Sequence, residues 1–258
     1  MDTILTHCSD EIAFLGDAHF PSKTIRPEST RGEQIHLWTA LFKQYTGLEF
    51  SHKEDRSVGI QGLMDRLTTT FGKRSHAGLF EAFWGRCLLW HRAKDGPLLT
   101  WIPAGEHTKK LPPSWSWMAV YGPIDFLKPE GRQVEWNAGV VLPFPKQSLG
   151  SSLQPNPQPL PTANGNATGD TIRATAFNLK AGIKHTDNAT LSYDDGREHI
   201  DGAVRCVIVA TTMDKANHYI LLISSAVHTT DATHERVGVG YSSEEFIDRA
   251  SGVEVVIG

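Results

Sequence analysis

The sequence predicts an α+β fold: a small N-terminal helical cluster packed on a mostly antiparallel β-sandwich or barrel. Amphipathic stripes at helical spacing are confined to residues 31–92, whereas short β-prone runs punctuated by Gly and Pro fill residues 93–258. Those runs follow one another without intervening helices, which favours antiparallel pairing over a doubly wound parallel sheet. Residues 1–30 show neither period and read as an irregular segment.

Three helices are expected. A capping box, Thr30-x-x-Glu33, opens the first, and Ile35, Trp38, Leu41, Phe42 and Tyr45 form its buried stripe. Gly47 stands where a left-handed residue would end it. A second box, Ser51-x-x-Glu54, precedes Ile60, Leu63, Met64, Leu67 and Phe71, with Gly72 as the stop. The third helix is expected from Ser75, burying Leu79, Phe80, Phe83, Trp84, Cys87 and Leu88.

Strands are expected at 98–102, 114–120, 172–179, 203–213, 218–224, 236–241 and 254–257, with a short helix at 243–249. The run 203–213 is almost wholly apolar and suits a strand buried on both faces. In Pro113-Ser114-Trp115-Ser116-Trp117, strand alternation would put both indoles on one face, where they bury a large area as core residues. Between about 143 and 171 six prolines stand among Gly, Asn, Ser and Gln, so this stretch reads as a disordered surface insertion.

Composition narrows the function classes. Apolar residues make up 40% and charged residues 21%, with a net charge of −4, which offers no electrostatic case for nucleic acid or an anionic membrane. The longest apolar run, 219–223, is too short to cross a bilayer, and the first twenty residues lack a basic leader. Cys8, Cys87 and Cys206 are too few and too far apart for a disulfide framework, which fits a reducing, cytoplasmic setting. The two glycosylation-like triplets at Asn166 and Asn188 are accordingly expected to be chance matches.

No GxSxG elbow, Walker A loop, HExxH helix or GxGxxG turn is present, so no catalytic, cofactor or metal residues are assigned. Asp194-Asp195-Gly196 reads as a turn, Glu244 and Glu245 as acids favoured by a helix dipole, and Asp55 as an acid in a first helical turn. His228 and His234 lie in a loop without metal-ligand spacing. Arg236, entering a strand, is expected to form an ion pair within the β-region with a partner that spacing does not name.

The order of aromatic motifs carries more. The run Trp38…Tyr45-Thr46…Asp55…Gly62-Leu63, then Gly78-Leu79-Phe80…Phe83-Trp84…Leu88-Leu89-Trp90, then Pro113-Ser114-Trp115-Ser116-Trp117, resembles the fungal heterokaryon-incompatibility (HET) domain and the segment after it. The resemblance covers about residues 34–121 well and the C-terminal strands loosely. Family members usually carry an N-terminal TIR-like lobe with an LSYCWG-like strand and an RxWxxQE segment, and neither occurs here. The resemblance therefore implies the C-terminal portion of a HET-type protein, without the lobe credited with activity. Trp38, Asp55, Gly62, Trp84, Trp90, Pro113, Ser114, Trp115, Ser116 and Trp117 are its motif residues, expected to be structural.

The function so implied is a non-catalytic interaction module in fungal self/non-self recognition and programmed cell death. Its protein partner is unspecified, and self-association is expected through an apolar surface that the missing lobe would cover. The alternative is a hydrolase or carbohydrate-binding protein with a site on the β-region loops, built from Asp125, Asp194, Asp195 or His228.

Overall fold

A computed structural model describes residues 29–103, 111–129, 134–144, 170–180, 189–195, 204–226 and 233–258. The expectations for 1–28, for most of the proline-rich insertion, and for Cys8 and His228 lie outside these residues. The α+β arrangement is present, with helices grouped at the start and one large, mostly antiparallel sheet after them.

Helix α1 (Arg31–Thr46) starts at the expected capping box: Glu33 N–H donates to Thr30 Oγ1 at 3.3 Å, and Thr30 N–H donates back to the Glu33 carboxylate at 2.6 Å. Leu37, Trp38, Leu41, Phe42 and Tyr45 are buried. Gly47 ends the helix in the right-handed region (φ −82°), not the left-handed one, so its carbonyls are closed by ordinary helical-turn bonds. The second box does not form. Glu54 precedes the five-residue α2 (Asp55–Gly59) without a side-chain cap, and α3 (Gln61–Phe71) follows directly, stopped by Gly72 at φ 62° as expected.

The expected third helix is broken near its start. Ala77 (φ 45°) and Gly78 (φ 80°) form a tight left-handed turn between β1 (Ser75–His76) and β2 (Leu79–Phe80). A Cβ on Gly78 would overlap the Trp117 indole, so close packing as well as turn geometry demands glycine there. Only α4 (Trp84–Leu88) is α-helical, after a 3₁₀ turn at Glu81–Phe83. Strand β3 (Trp90–Arg92) follows it.

Within 98–102 only β4 (Thr100–Trp101) is extended, and it pairs with β5 (Val120–Tyr121). Pro113 to Ala119 is not a strand. Ser116 N–H bonds Pro113 O, Ser116 Oγ accepts from Met118 N–H, and Trp117–Ala119 is a 3₁₀ turn. The serine hydroxyl supplies a local partner that competes with a ladder, which is why the alternation misleads. Both indoles are nonetheless core, each 1% exposed.

Strands β6 (Ile124–Phe126), which pairs with β3, and β7 (Val134–Trp136) precede the large sheet. Its long members are β8 (Ile172–Leu179), β9 (Ala189–Tyr193), β10 (Val204–Thr212), β11 (Asn217–Ser225), β12 (Thr233–Ser243) and β13 (Ile247–Ile257). They run in the order β11-β10-β8-β13-β12-β9, with β7 also on β10. Because β11 also pairs with β12, the hydrogen-bonded path returns on itself, closed by a two-residue parallel contact between β12 and β13. The helix expected at 243–249 is a 3₁₀ turn at Glu244–Phe246, after which β13 begins at Ile247.

Strand β10 is buried on both faces, as its apolar run predicts. Val207 and Val209 join the main core with Trp38, Phe42, Trp90 and Trp117, while Cys206 and Ile208 join a second cluster with Ile220, Leu222 and Ile247. One continuous core therefore spans the helices and one face of the sheet.

Candidate functional site

Two of the motif residues, Trp90 and Ser114, meet on a buried cation. Arg236, fully buried on β12, donates from Nε to Asp194 Oδ2 at 2.8 Å and from Nη2 to Asp194 Oδ1 at 3.2 Å. Nη1 donates to Leu88 O at 2.8 Å and Nη2 also to Trp90 O, and the guanidinium lies 3.3 Å from the Trp90 ring centroid. Arg236 N–H also donates to Ser114 Oγ at 3.0 Å. Trp90 Nε1–H donates to Trp115 O and Trp115 Nε1–H to Asp170 O, each at 2.9 Å, and Ser116 Oγ donates to Ala77 O at 2.6 Å. Burial pulls the Arg236 pKa down against the opposing pull of Asp194. The ion-pair partner that spacing could not name is Asp194, in the predicted turn.

The other motif residues scatter. Trp38 is fully buried against Phe42, Phe80, Phe83 and Phe126. Pro113 is partly exposed beside the Ser114 turn. Asp55 is exposed at the first residue of α2. Gly62 is exposed in α3, and nothing there would meet a Cβ, so the structure gives no packing reason for glycine. Trp84 alone among the motif tryptophans is half-buried.

The carboxylates weighed for a hydrolytic site are not brought together. Asp194 belongs to Arg236, while Asp125 on β6 holds Lys43 of α1 at 2.9 Å. Burial opposes ionisation of Asp125, yet the Lys43 hydrogen bond and the Phe126 N–H hold its carboxyl below the usual range. Asp195 is half-buried beside Asp194. Trp115 and Trp117, shielded in the core, present no face to a sugar.

Sequence reasoning missed two clusters. On the far side of the sheet, His218 lies between Thr211 Oγ1 (3.0 Å from Nδ1) and the Glu244 carboxylate at Nε2, with Arg249 on Glu244 at 2.7 Å. Burial pulls His218 down, and the Glu244 hydrogen bond only partly offsets it. A hydroxyl–imidazole–carboxylate chain has the form of a charge relay. Here strand register explains it, because Thr211 and His218 are direct partners across β10 and β11.

The second cluster is a channel along the outer side of α1. Two cavities of about 550 and about 500 Å³ meet there, sharing Gly32, Ile35 and Arg86. The first runs between α1 and the chain after β6, passing the Lys43–Asp125 pair. The second is walled by Arg31, Phe83, Trp84, Arg86 and Trp136. Trp84 and Trp136 meet edge to face with centroids 5.9 Å apart. Trp136 packs against α4, where a Cβ on Gly85 would overlap its ring. The one legible signal was Arg31, a cation at the first residue of a helix, where the dipole disfavours positive charge.

Among the described residues, no helix is long and apolar enough to cross a membrane, and no group of three or more His, Cys, Asp or Glu could hold a metal ion. No family model, curated protein or solved structure matches the chain.

Proposed function

We propose that the chain is a non-catalytic interaction module of the heterokaryon-incompatibility type, acting in the cytoplasm in fungal self/non-self recognition and programmed cell death. The observation that supports this reading is the fate of the ordered motif. Trp38, Trp90, Trp115 and Trp117 are all spent on one core, and Ser114 and Trp90 meet on Arg236. A motif used in this way maintains a shape, and the channel along α1 is the surface that shape offers to a partner lobe or a second copy. The test is expression in a fungal host, alone and together with a HET-type N-terminal lobe. The module reading expects death only when the lobe is present, lost on substituting channel residues such as Ile35. Death from this chain alone would overturn it.

A further inference from the structure

We infer that the cleft between α1, α4 and β7 is a binding site for a nucleoside phosphate. This goes beyond the interaction-module reading and does not rest on it. Arg31 and Arg86 both line the cleft, and neither meets a carboxylate among the described residues. Arg31 uses one N–H on Ala82 O at 2.5 Å, and Arg86 uses one on Pro129 O at 3.0 Å. A guanidinium carries five donors in a planar fork, so most of both forks remain for a ligand. The nearest acid on α1, Glu33, is turned back onto Thr30 in the capping box.

Two cations sharing a partly buried cleft, with no acid on either among the described residues, repel one another, and burial together with the Arg31 charge draws Arg86 below its ordinary value. An anion between them relieves that repulsion, and phosphate fits paired guanidinium forks bidentately. Three aromatic side chains, Phe83, Trp84 and Trp136, share the wall with the arginines. Trp84 and Trp136 stand half-buried with their planes inclined at 62°, and Phe83 lies beneath the Arg31 guanidinium. Indole faces stack on nucleobases of any sequence. A bare anion makes no use of the indoles, and an uncharged ring leaves the guanidinium N–H donors unpaired. A volume of about 500 Å³ suits a small ligand carrying both groups.

The experiment is calorimetric titration of the whole chain with ADP, adenosine and pyrophosphate, repeated on Arg31→Ala. Arg31 is exposed at the helix start, and circular dichroism checks that the variant folds. ADP should bind saturably, with adenosine and pyrophosphate each at least about tenfold weaker. Arg31→Ala should weaken ADP by about tenfold to a hundredfold, the loss of a charge-assisted contact. Absence of ADP binding at millimolar concentration overturns the site. So does pyrophosphate as tight as ADP, or adenosine as tight as ADP. An Arg31→Ala affinity within about twofold of the parent places binding elsewhere and overturns it as well.

Discussion

Replacing Asp194 by Asn tests whether the buried Arg236 cluster holds the helical region to the sheet. The substitution keeps size and one acceptor but removes the charge opposite a guanidinium that is fully buried. Breaking a buried pair by neutralising one partner costs about 3–5 kcal/mol, because the surviving charge is left uncompensated. Here the carbonyls of Leu88 and Trp90 and the Trp90 ring still hold the cation, which argues for the low end, about 3 kcal/mol. At about 2–4 °C per kcal/mol for a chain of this size, Tm should fall by about 6–12 °C. Urea unfolding followed by tryptophan fluorescence measures the loss directly. Exchanging both partners for apolar residues, Asp194→Leu with Arg236→Met, removes both desolvation penalties and should recover all but about 1–2 kcal/mol. A loss under about 1 kcal/mol for Asp194→Asn, or a double variant no better than the single one, would refute the reasoning.

Gly78→Ala should destabilise by about 2–5 kcal/mol in the same urea assay, since the new methyl adds left-handed strain and overlaps Trp117; a neutral result would mean that Trp117 has room to shift. Acidification from pH 7 towards 5 should lower the urea midpoint. His218 is held below its ordinary 6.5, so as pH falls below that value the unfolded chain takes up its proton before the native one does, and stability is lost down to the lower folded pKa; Glu244, held low chiefly by Arg249, acts in the same direction further down. His218→Asn should flatten the upper part of that profile, and an unchanged slope would refute the assignment. The Cys87 and Cys206 thiols, pushed up to about 12 by burial, should escape alkylation at neutral pH in the native chain and react once it unfolds; mass spectrometric mapping of native modification at either would contradict their burial.

What the sequence made legible was local. Helix α1 was readable because its cap and stripe both lie within one segment, and Gly72 because a left-handed stop needs only its own φ. The hairpin at Ala77-Gly78 was not, because the apolar positions after it repeat at helical spacing and are buried in either conformation. The Trp115 turn failed for a related reason. Alternation distinguishes a strand only when one face meets water, and here Ser114, Trp115, Ser116 and Trp117 are all buried. Arg236 announced a need for a partner without naming it, since register across β9 and β12 decides that Asp194 is the one in reach.

The five motif tryptophans divide by exposure, and the division separates what holds the fold from what the fold presents. Trp38, Trp90, Trp115 and Trp117 are at most 1% exposed and pack in the core around the cluster that joins α4 to β12. Trp84, one turn before Leu88 on α4, faces outward onto Trp136. The same short helix therefore gives its last carbonyl to Arg236 and its one indole to the cleft. Arg31, Arg86 and Trp136 come from three separate segments, so no spacing rule could have gathered them. Their juxtaposition follows from Arg31 at the start of α1 bonding Ala82 O in the turn before α4, and from Gly85 admitting Trp136 against the backbone. A core that fixes α4 at one end thus fixes the cleft at the other, and the motif sets the geometry of a surface to which it contributes a single side chain.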